Sequence, residues 1–238
     1  MNPYEKLMAR KRKWTPVQTC AGTCKEGAEE AIFRALALRN LELPVGDFIT
    51  DALDSEVPTL ARELLRSNVT DEENHDIALG YIANADGVDP QAEKEAHKIR
   101  EAWVAHPDHT ITKALVAERS VFFVLLPFFR ANGTAGMRTV SADISRDEQV
   151  HVCTNSLVHT ELGYNISPSL DKLRKATISW VMQPLKVGAS DKYLDKKFWL
   201  DSSDRLMYEG KAPELSFTKS ARMPAFFEHS NVNLPQYA

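Results

Sequence analysis

Glu148-Gln149-Val150-His151 and Glu72-Glu73-Asn74-His75 are two copies of one Glu-x-x-His pattern, and they decide the fold predicted for this 238-residue chain. Each copy lies in a long stretch whose apolar residues recur at helical spacing. Because positions i and i+3 share one face of a helix, each copy directs a carboxylate and an imidazole to the same side. The two stretches therefore predict two helices with matching polar faces.

Two helices of this kind, joined by one Glu from each of two further helices, build the dimetal-carboxylate site of a ferritin-like bundle. No segment shows the sustained period-two alternation of strands, and proline, glycine and asparagine mark the helix ends. The helices are predicted over residues 26–43, 47–53, 58–84, 90–106, 110–130, 135–159 and 168–184. The sequence thus predicts an all-α, ferritin-like helical domain over residues 25–212, after an amino-terminal extension of residues 1–24 and before a flexible carboxyl-terminal tail of residues 213–238.

Composition and charge exclude several classes of protein. The net charge of −4 and the lack of a basic stripe around Lys11-Arg12-Lys13 argue against a nucleic-acid partner, so that run is predicted to be a solvated end. The longest apolar stretch, Ser120 to Phe129, is too short to span a bilayer, and no apolar core follows the basic start, so neither a membrane anchor nor a secretory signal is expected. Three cysteines without a disulfide framework favour a reducing compartment, so we expect a cytoplasmic protein.

The first lone carboxylate is sought on the helix predicted over residues 26–43. At about 100° per residue, Glu29 falls within the apolar face of that helix, whereas Glu30 lies toward Arg34 on the polar side. A carboxylate on an apolar face is costly unless a metal ion or another group compensates it. Glu29 is therefore predicted to be a metal ligand. The apolar face is formed by Ile32, Phe33, Leu36 and Leu43.

The second lone carboxylate is Glu118, the sole acid in the apolar stretch of residues 110–130. Its alternative role is an ion pair with Arg119 or another arginine. A helix that is apolar on nearly every side is expected to be buried, which favours a metal ligand. Four carboxylates and two imidazoles suit iron or manganese, so two ions of iron, manganese or both are expected per chain.

Around these residues the chain resembles the small, radical-generating subunit of class I ribonucleotide reductase. The segment from Arg146 to His151 is similar to that family's Arg-Asp-Glu-x-x-His segment. The stretch 117–123 is similar to its third ligand helix, and Lys13-Trp14-Thr15-Pro16 to its amino end. The resemblance implies a metal-ligand set of Glu29, Glu72, His75, Glu118, Glu148 and His151. It also implies a radical-transfer chain in which Trp14 and Asp147 connect to His75.

The chain departs from the tyrosyl-radical members of this family. Their tyrosine lies four residues after the first motif's histidine, where this chain has Leu79. Tyr81, two residues further on, points elsewhere on the helix. The chain is therefore more similar to members that lack the tyrosine and keep the oxidising equivalent on a manganese-containing cluster.

The resemblance also implies two protein partners. One is a separate large subunit that binds the carboxyl-terminal tail. Tyr208 and Tyr237 are alternative candidates for relaying the radical to it. The other is a second copy of this chain, as a homodimer formed through helix faces.

Two other functions remain open on the sequence. One is a different dimetal oxidase, such as a desaturase or an N-oxygenase, which requires a substrate channel. The other is a ferritin-like metal-storage protein, which does not need Trp14 or Asp147.

Overall fold

The computed structural model describes residues 2–53 and 57–216, and this part of the chain is helical, with a single isolated β-bridge between Lys186 and Asp195. The α-helices are α1 (Pro3–Met8), α2 (Glu29–Ala37), α3 (Glu42–Ala52), α4 (Thr59–Asp86), α5 (Pro90–Ala105), α6 (Thr110–Ala117), α7 (Phe123–Asn132), α8 (Ala135–Glu161), α9 (Pro168–Met182) and α10 (Lys196–Glu209). Short 3₁₀ turns occupy Leu38–Leu41, Lys192–Leu194 and Pro213–Leu215.

Four helical columns form the centre of the molecule. Helix α3 packs against α4 and α6, and α8 packs against α4, α6 and α7, so each column touches two neighbours around a closed ring. Helices α9 and α10 pack on the outside of the column formed by α6 and α7, and α5 packs against α2 and the 3₁₀ turn at Leu38–Leu41. The prediction of an all-α, ferritin-like bundle is confirmed.

The third column is one continuous helical run with a wide turn in its middle. Residues Glu118–Phe122 adopt a π-helical turn between α6 and α7. Such turns occur mostly as single insertions in α-helices and often lie at functional sites. The backbone irregularity of this column therefore begins at Glu118, ahead of Pro127, which lies inside α7.

Side chains fix several of the helix starts. Asp89 accepts a hydrogen bond from the Gln91 N–H, Thr134 from the Met137 N–H, and Ser167 from the Leu170 N–H. Each bond satisfies one of the backbone N–H groups that a first turn leaves without an intrahelical partner. These caps explain why the boundaries of α5, α8 and α9 lie close to those predicted.

The single helix predicted over residues 26–43 is two helices in the structure. Helix α2 ends at Ala37, a 3₁₀ turn occupies Leu38–Leu41, and α3 begins at Glu42. Pro44 does not end a helix, since it lies in the first turn of α3, where its missing N–H costs no hydrogen bond. This break changes which face each residue presents, with a direct consequence for the site.

None of the helices in residues 2–53 and 57–216 combines the length and apolar character that crossing a membrane requires.

Candidate metal centre

Six side chains from four columns converge at the centre of the bundle. They form two groups whose donor atoms lie within 4.8 Å of one another: Glu42, Glu72, His75 and Glu148 in the first, and Glu72, Glu118 and His151 in the second. All are withdrawn from solvent; Glu42 is 2% exposed and the other five are 0% exposed. Of the residues predicted from sequence, the structure brings together Glu72, His75, Glu118, Glu148 and His151.

The two imidazoles face the centre in the same way. The ring centroids of His75 and His151 lie 5.7 Å apart, and each ring presents its Nδ1 atom to the carboxylates. The Nδ1 atom of His75 lies 3.4 Å from Glu148 Oε1, and that of His151 lies 2.9 Å from Glu72 Oε1. Each histidine therefore has one nitrogen available to its own half of the site.

The Glu of each Glu-x-x-His motif spans both halves. Glu72 has its Oε2 atom 3.5 Å from His75 Nδ1 and its Oε1 atom 2.9 Å from His151 Nδ1. Glu148 has its Oε1 atom 3.4 Å from His75 and its Oε2 atom 3.9 Å from His151. Glu72 and Glu148 therefore lie beside both histidines, whereas Glu42 lies beside His75 and Glu118 beside His151.

Glu42, and not Glu29, supplies the carboxylate from the first column. Glu42 lies in the first turn of α3, with its Oε2 atom 3.6 Å from His75 Nδ1. Glu29 is the first residue of α2, is exposed, and accepts a hydrogen bond from the Gly27 N–H. Glu29 shares a face with Ile32 and Leu36, as the helical wheel indicates, but α2 begins at Glu29, so its side chain lies at the exposed end of the helix and outside the cluster. The sequence signal for Glu42 is its position between two leucines and two residues before Pro44, since a proline often lies in the first turn of a helix.

The buried polar atoms of this group fit metal ions. Both carboxylate oxygens of Glu72 and of Glu148 are buried without a hydrogen-bond partner. The same holds for one oxygen of Glu42 and of Glu118 and for the Nδ1 atoms of both histidines. Buried polar groups are normally satisfied, and these unsatisfied atoms all belong to one cluster. Two cations among them would satisfy the set, and four carboxylates with two imidazoles is the donor chemistry of a dimetal-carboxylate site.

The pKa values of the metal-free cluster also fit a site for cations. Burial raises the pKa of Glu42 and that of Glu118 well above their usual range, and the charges of nearby carboxylates add to the effect. Burial lowers the pKa of His151, but its contacts with Asp71 and Glu72 outweigh this and raise it to about 10. Protons therefore neutralise the cluster in the absence of metal, and binding a cation would release them.

Two aspartates hold the outer nitrogens of the histidines, each from the opposite motif. Asp147, next to Glu148, has its Oδ2 atom 3.4 Å from His75 Nε2. Asp71, next to Glu72, has its Oδ2 atom 2.9 Å from His151 Nε2. A carboxylate on the far nitrogen of a metal-binding histidine fixes the orientation of the ring. Asp71 was missed from the sequence, although the repeated pattern is in fact Asp-Glu-x-x-His.

The amino-terminal segment lies against both aspartates. The Trp14 indole N–H donates to Asp147 Oδ2 at 2.5 Å, and the guanidinium of Arg12 lies 3.5 Å from the other oxygen of Asp147. Lys11 forms an ion pair with Asp71 and is only 10% exposed, whereas Lys13 is exposed, so the basic run is a solvated end only in part. Burial raises the pKa of Asp147, but the hydrogen bonds from His75 and Trp14 outweigh this and hold it below its usual value.

Other predicted residues also have defined positions. Leu79 is buried one turn after His75, Tyr81 is half-buried, and Tyr208 is exposed on α10, where its hydroxyl donates to Asp171. Glu118 pairs with no arginine in the described part of the chain; its Oε2 atom accepts a hydrogen bond from Asn155. Tyr237 and the tail beyond Ser216 lie outside the described residues.

Comparison with known proteins adds information on the fold. No protein-family model matches the chain, and no curated protein matches it. Among solved structures, a Bacillus halodurans protein described as a "putative class I ribonucleotide reductase" has a similar fold, with a TM-score of 0.57. The match covers 95% of this chain and 98% of that chain, at 16% sequence identity. Fold and site together define a ferritin-like helical protein with a buried carboxylate–histidine cluster compatible with two metal ions.

Proposed function

We propose that this chain is the radical-supplying small subunit of a class I ribonucleotide reductase. Two ions of iron, manganese or both, held by Glu42, Glu72, His75, Glu118, Glu148 and His151, would supply the oxidising equivalent when bound. A separate large subunit would use that equivalent to reduce ribonucleotides. The observation that carries the proposal is the continuous contact from Trp14 through Asp147 to His75.

The chemistry of this contact suits electron transfer coupled to a proton. Asp147 Oδ2 accepts the hydrogen bond of the Trp14 indole and also lies beside His75 Nε2. When an electron leaves the indole ring, its N–H becomes more acidic, and Asp147 is placed to accept or share that proton. The stacking of Trp14 on His75, with ring centroids 6.3 Å apart, keeps the two rings close. A metal-storage protein has no need of such an arrangement.

Leu79 bears on where the oxidising equivalent is kept. An aliphatic residue stands where the tyrosyl-radical members have their tyrosine, so no radical can form at that position. We therefore expect the equivalent to stay on the metal ions.

The proposal includes two protein partners. The large subunit would bind the carboxyl-terminal tail, most of which lies outside the described residues, and the chain would form a homodimer. The homodimer is tested by the mass of the purified protein in solution; a monomer at micromolar concentration would contradict it.

Ribonucleotide reduction with the large subunit tests the proposal. The metal-loaded chain should support turnover, and Trp14→Phe should abolish it without changing the metal content. Trp180→Phe is the matched control, because the Trp180 indole also donates to a carboxylate, that of Glu95, on the outer helices. A chain ending at Ser216 should keep its metals and lose turnover. Full turnover by Trp14→Phe would contradict the proposed path, and substrate oxidation without the large subunit would favour a dimetal oxidase.

A further inference from the structure

Asn155 makes a hydrogen bond to Glu118 that no feature of the Glu-x-x-His motifs anticipates. It lies on α8, one turn after His151, and its Nδ2 atom donates to Glu118 Oε2 at 2.6 Å. Both side chains are 0% exposed. A short hydrogen bond from a neutral amide to a buried carboxylate is strong, because no water competes for either group.

This bond makes Glu118 different from Glu72 and Glu148. Glu72 and Glu148 each have two buried oxygens without a hydrogen-bond partner, whereas Glu118 has one, its Oε1 atom. That oxygen is the one that faces His151, with its Nδ1 atom 3.8 Å away. The second oxygen is held by Asn155 and is directed to α8. Glu118 therefore has one oxygen, Oε1, that is free of hydrogen bonds and faces the cluster.

The backbone at Glu118 increases the importance of this contact. Glu118 is the first residue of the π-helical turn, where the regular i→i−4 hydrogen-bonding pattern is interrupted. The position of its side chain consequently depends on contacts with other helices. Among the described residues, Asn155 is the one that forms a hydrogen bond with the Glu118 carboxylate.

We propose that Asn155 is a positioning residue that keeps Glu118 a terminal ligand bound through one oxygen. This inference rests on the metal centre of the proposed function. Without the amide N–H, Glu118 Oε2 becomes free to bind the same ion or to reach toward the other one. Loss of a hydrogen bond that orients a metal ligand commonly lowers metal affinity by about 10- to 100-fold.

Titration with Co(II) tests this role without requiring enzyme activity. The d–d absorption of Co(II) reports the number and geometry of its ligands, and its growth during titration gives the affinity. Asn155→Leu has a similar volume and no N–H donor, so it should weaken the binding of one ion by about 10- to 100-fold and change the absorption per bound ion. Asn155→Ala is the second variant, in case the branched side chain prevents folding.

Thr154→Val is the matched control. Thr154 is also fully buried on α8, and its hydroxyl donates to the Val150 carbonyl within the helix. It should leave both affinity and absorption unchanged. Asn155 variants that match this control would overturn the inference, and so would weaker binding with an unchanged spectrum, which indicates a merely structural role. If the unaltered chain binds no Co(II), it is the proposed metal centre that fails.

Discussion

Each histidine of the cluster has a defined use for both ring nitrogens. The Nδ1 atoms of His75 and His151 face the carboxylates, and the Nε2 atoms face Asp147 and Asp71. The aspartates come from the opposite motifs, so α4 and α8 orient each other's imidazoles. Each motif therefore depends on the other for the orientation of its histidine ring.

At the same scale, Glu42 and Glu29 provide a direct comparison. Glu42→Ala removes a buried donor beside His75 and should leave fewer than two tightly bound metal ions per chain. Glu29→Ala removes an exposed carboxylate with no contact to the cluster and should leave metal binding unchanged. Equilibrium dialysis against Mn(II) with elemental analysis measures both. Normal metal content in Glu42→Ala, or a loss in Glu29→Ala, would contradict the assignment.

Site residues whose relative position is fixed within one helix could be predicted from the sequence. The spacing within Glu72–His75 and Glu148–His151 is local, so helical geometry alone predicts that each pair shares a face. Glu42 depends on the break at Leu38–Leu41, which is stabilised by packing between helices that are distant in sequence. The Asn155–Glu118 bond likewise joins two columns, and no pattern within either helix indicates it.

At the scale of the elements, a glycine inside a long helix differs from a glycine in the connection between two helices in the space around its Cα atom. Gly80 lies within α4, and a Cβ atom there would meet nothing within 4 Å. Gly133 follows α7, and a Cβ atom there would lie 2.6 Å from the Phe129 carbonyl oxygen and 2.8 Å from Met137 Cβ. The two glycines therefore have opposite roles.

Substitution by alanine should separate these roles. Gly80→Ala should stabilise the protein by roughly 0.5–1 kcal/mol, because alanine loses less conformational entropy in a helix. Gly133→Ala should destabilise it by roughly 1–3 kcal/mol, because the added methyl group forces the tight α7–α8 connection apart. Urea unfolding of the metal-free variants measures both changes. A stabilising Gly133→Ala would show that this connection relaxes more easily than its contacts indicate.

Local capping residues predicted the starts of some helices, whereas features that depend on packing were not predicted. Asp89 and Ser167 marked the starts of α5 and α9 because their caps are local. The π-helical turn at Glu118–Phe122 has no local signal among its apolar neighbours, and it was not predicted. Helix α10 begins at a capping Asp195, but its polar surroundings left it unassigned from sequence.

At the scale of the whole molecule, the metal-free protein holds protons where the proposed metal ions would bind. The pKa values of Glu42, Glu118 and Glu148 are raised by burial and by neighbouring carboxylates, and that of His151 is raised to about 10 by Asp71 and Glu72 despite burial. Groups with raised pKa values bind protons more tightly in the folded chain than in the unfolded chain, so stability falls as pH rises. The pKa values of Glu72 and Asp147 are lowered, so these two groups change the stability of the protein only at acidic pH.

The metal-free protein should therefore have a lower Tm at pH 9 than at pH 7. For His151 the stabilisation is complete below its ordinary pKa of 6.5 and is lost as pH approaches about 10. Metal binding should weaken or reverse this trend, because the ions replace the protons. Thermal unfolding with and without Mn(II) measures the effect. A metal-free Tm that rises between pH 7 and pH 9 would contradict the charge states assigned to the cluster.

Anomalous X-ray diffraction from crystals of the metal-loaded protein tests the central claim most directly. Data at the manganese and iron absorption edges should show two peaks inside the bundle, both between the carboxylates of Glu72 and Glu148. One peak should lie beside His75 Nδ1 and Glu42, and the other beside His151 Nδ1 and Glu118. A single peak, peaks outside the bundle, or no peak from protein incubated with both metals would contradict the account.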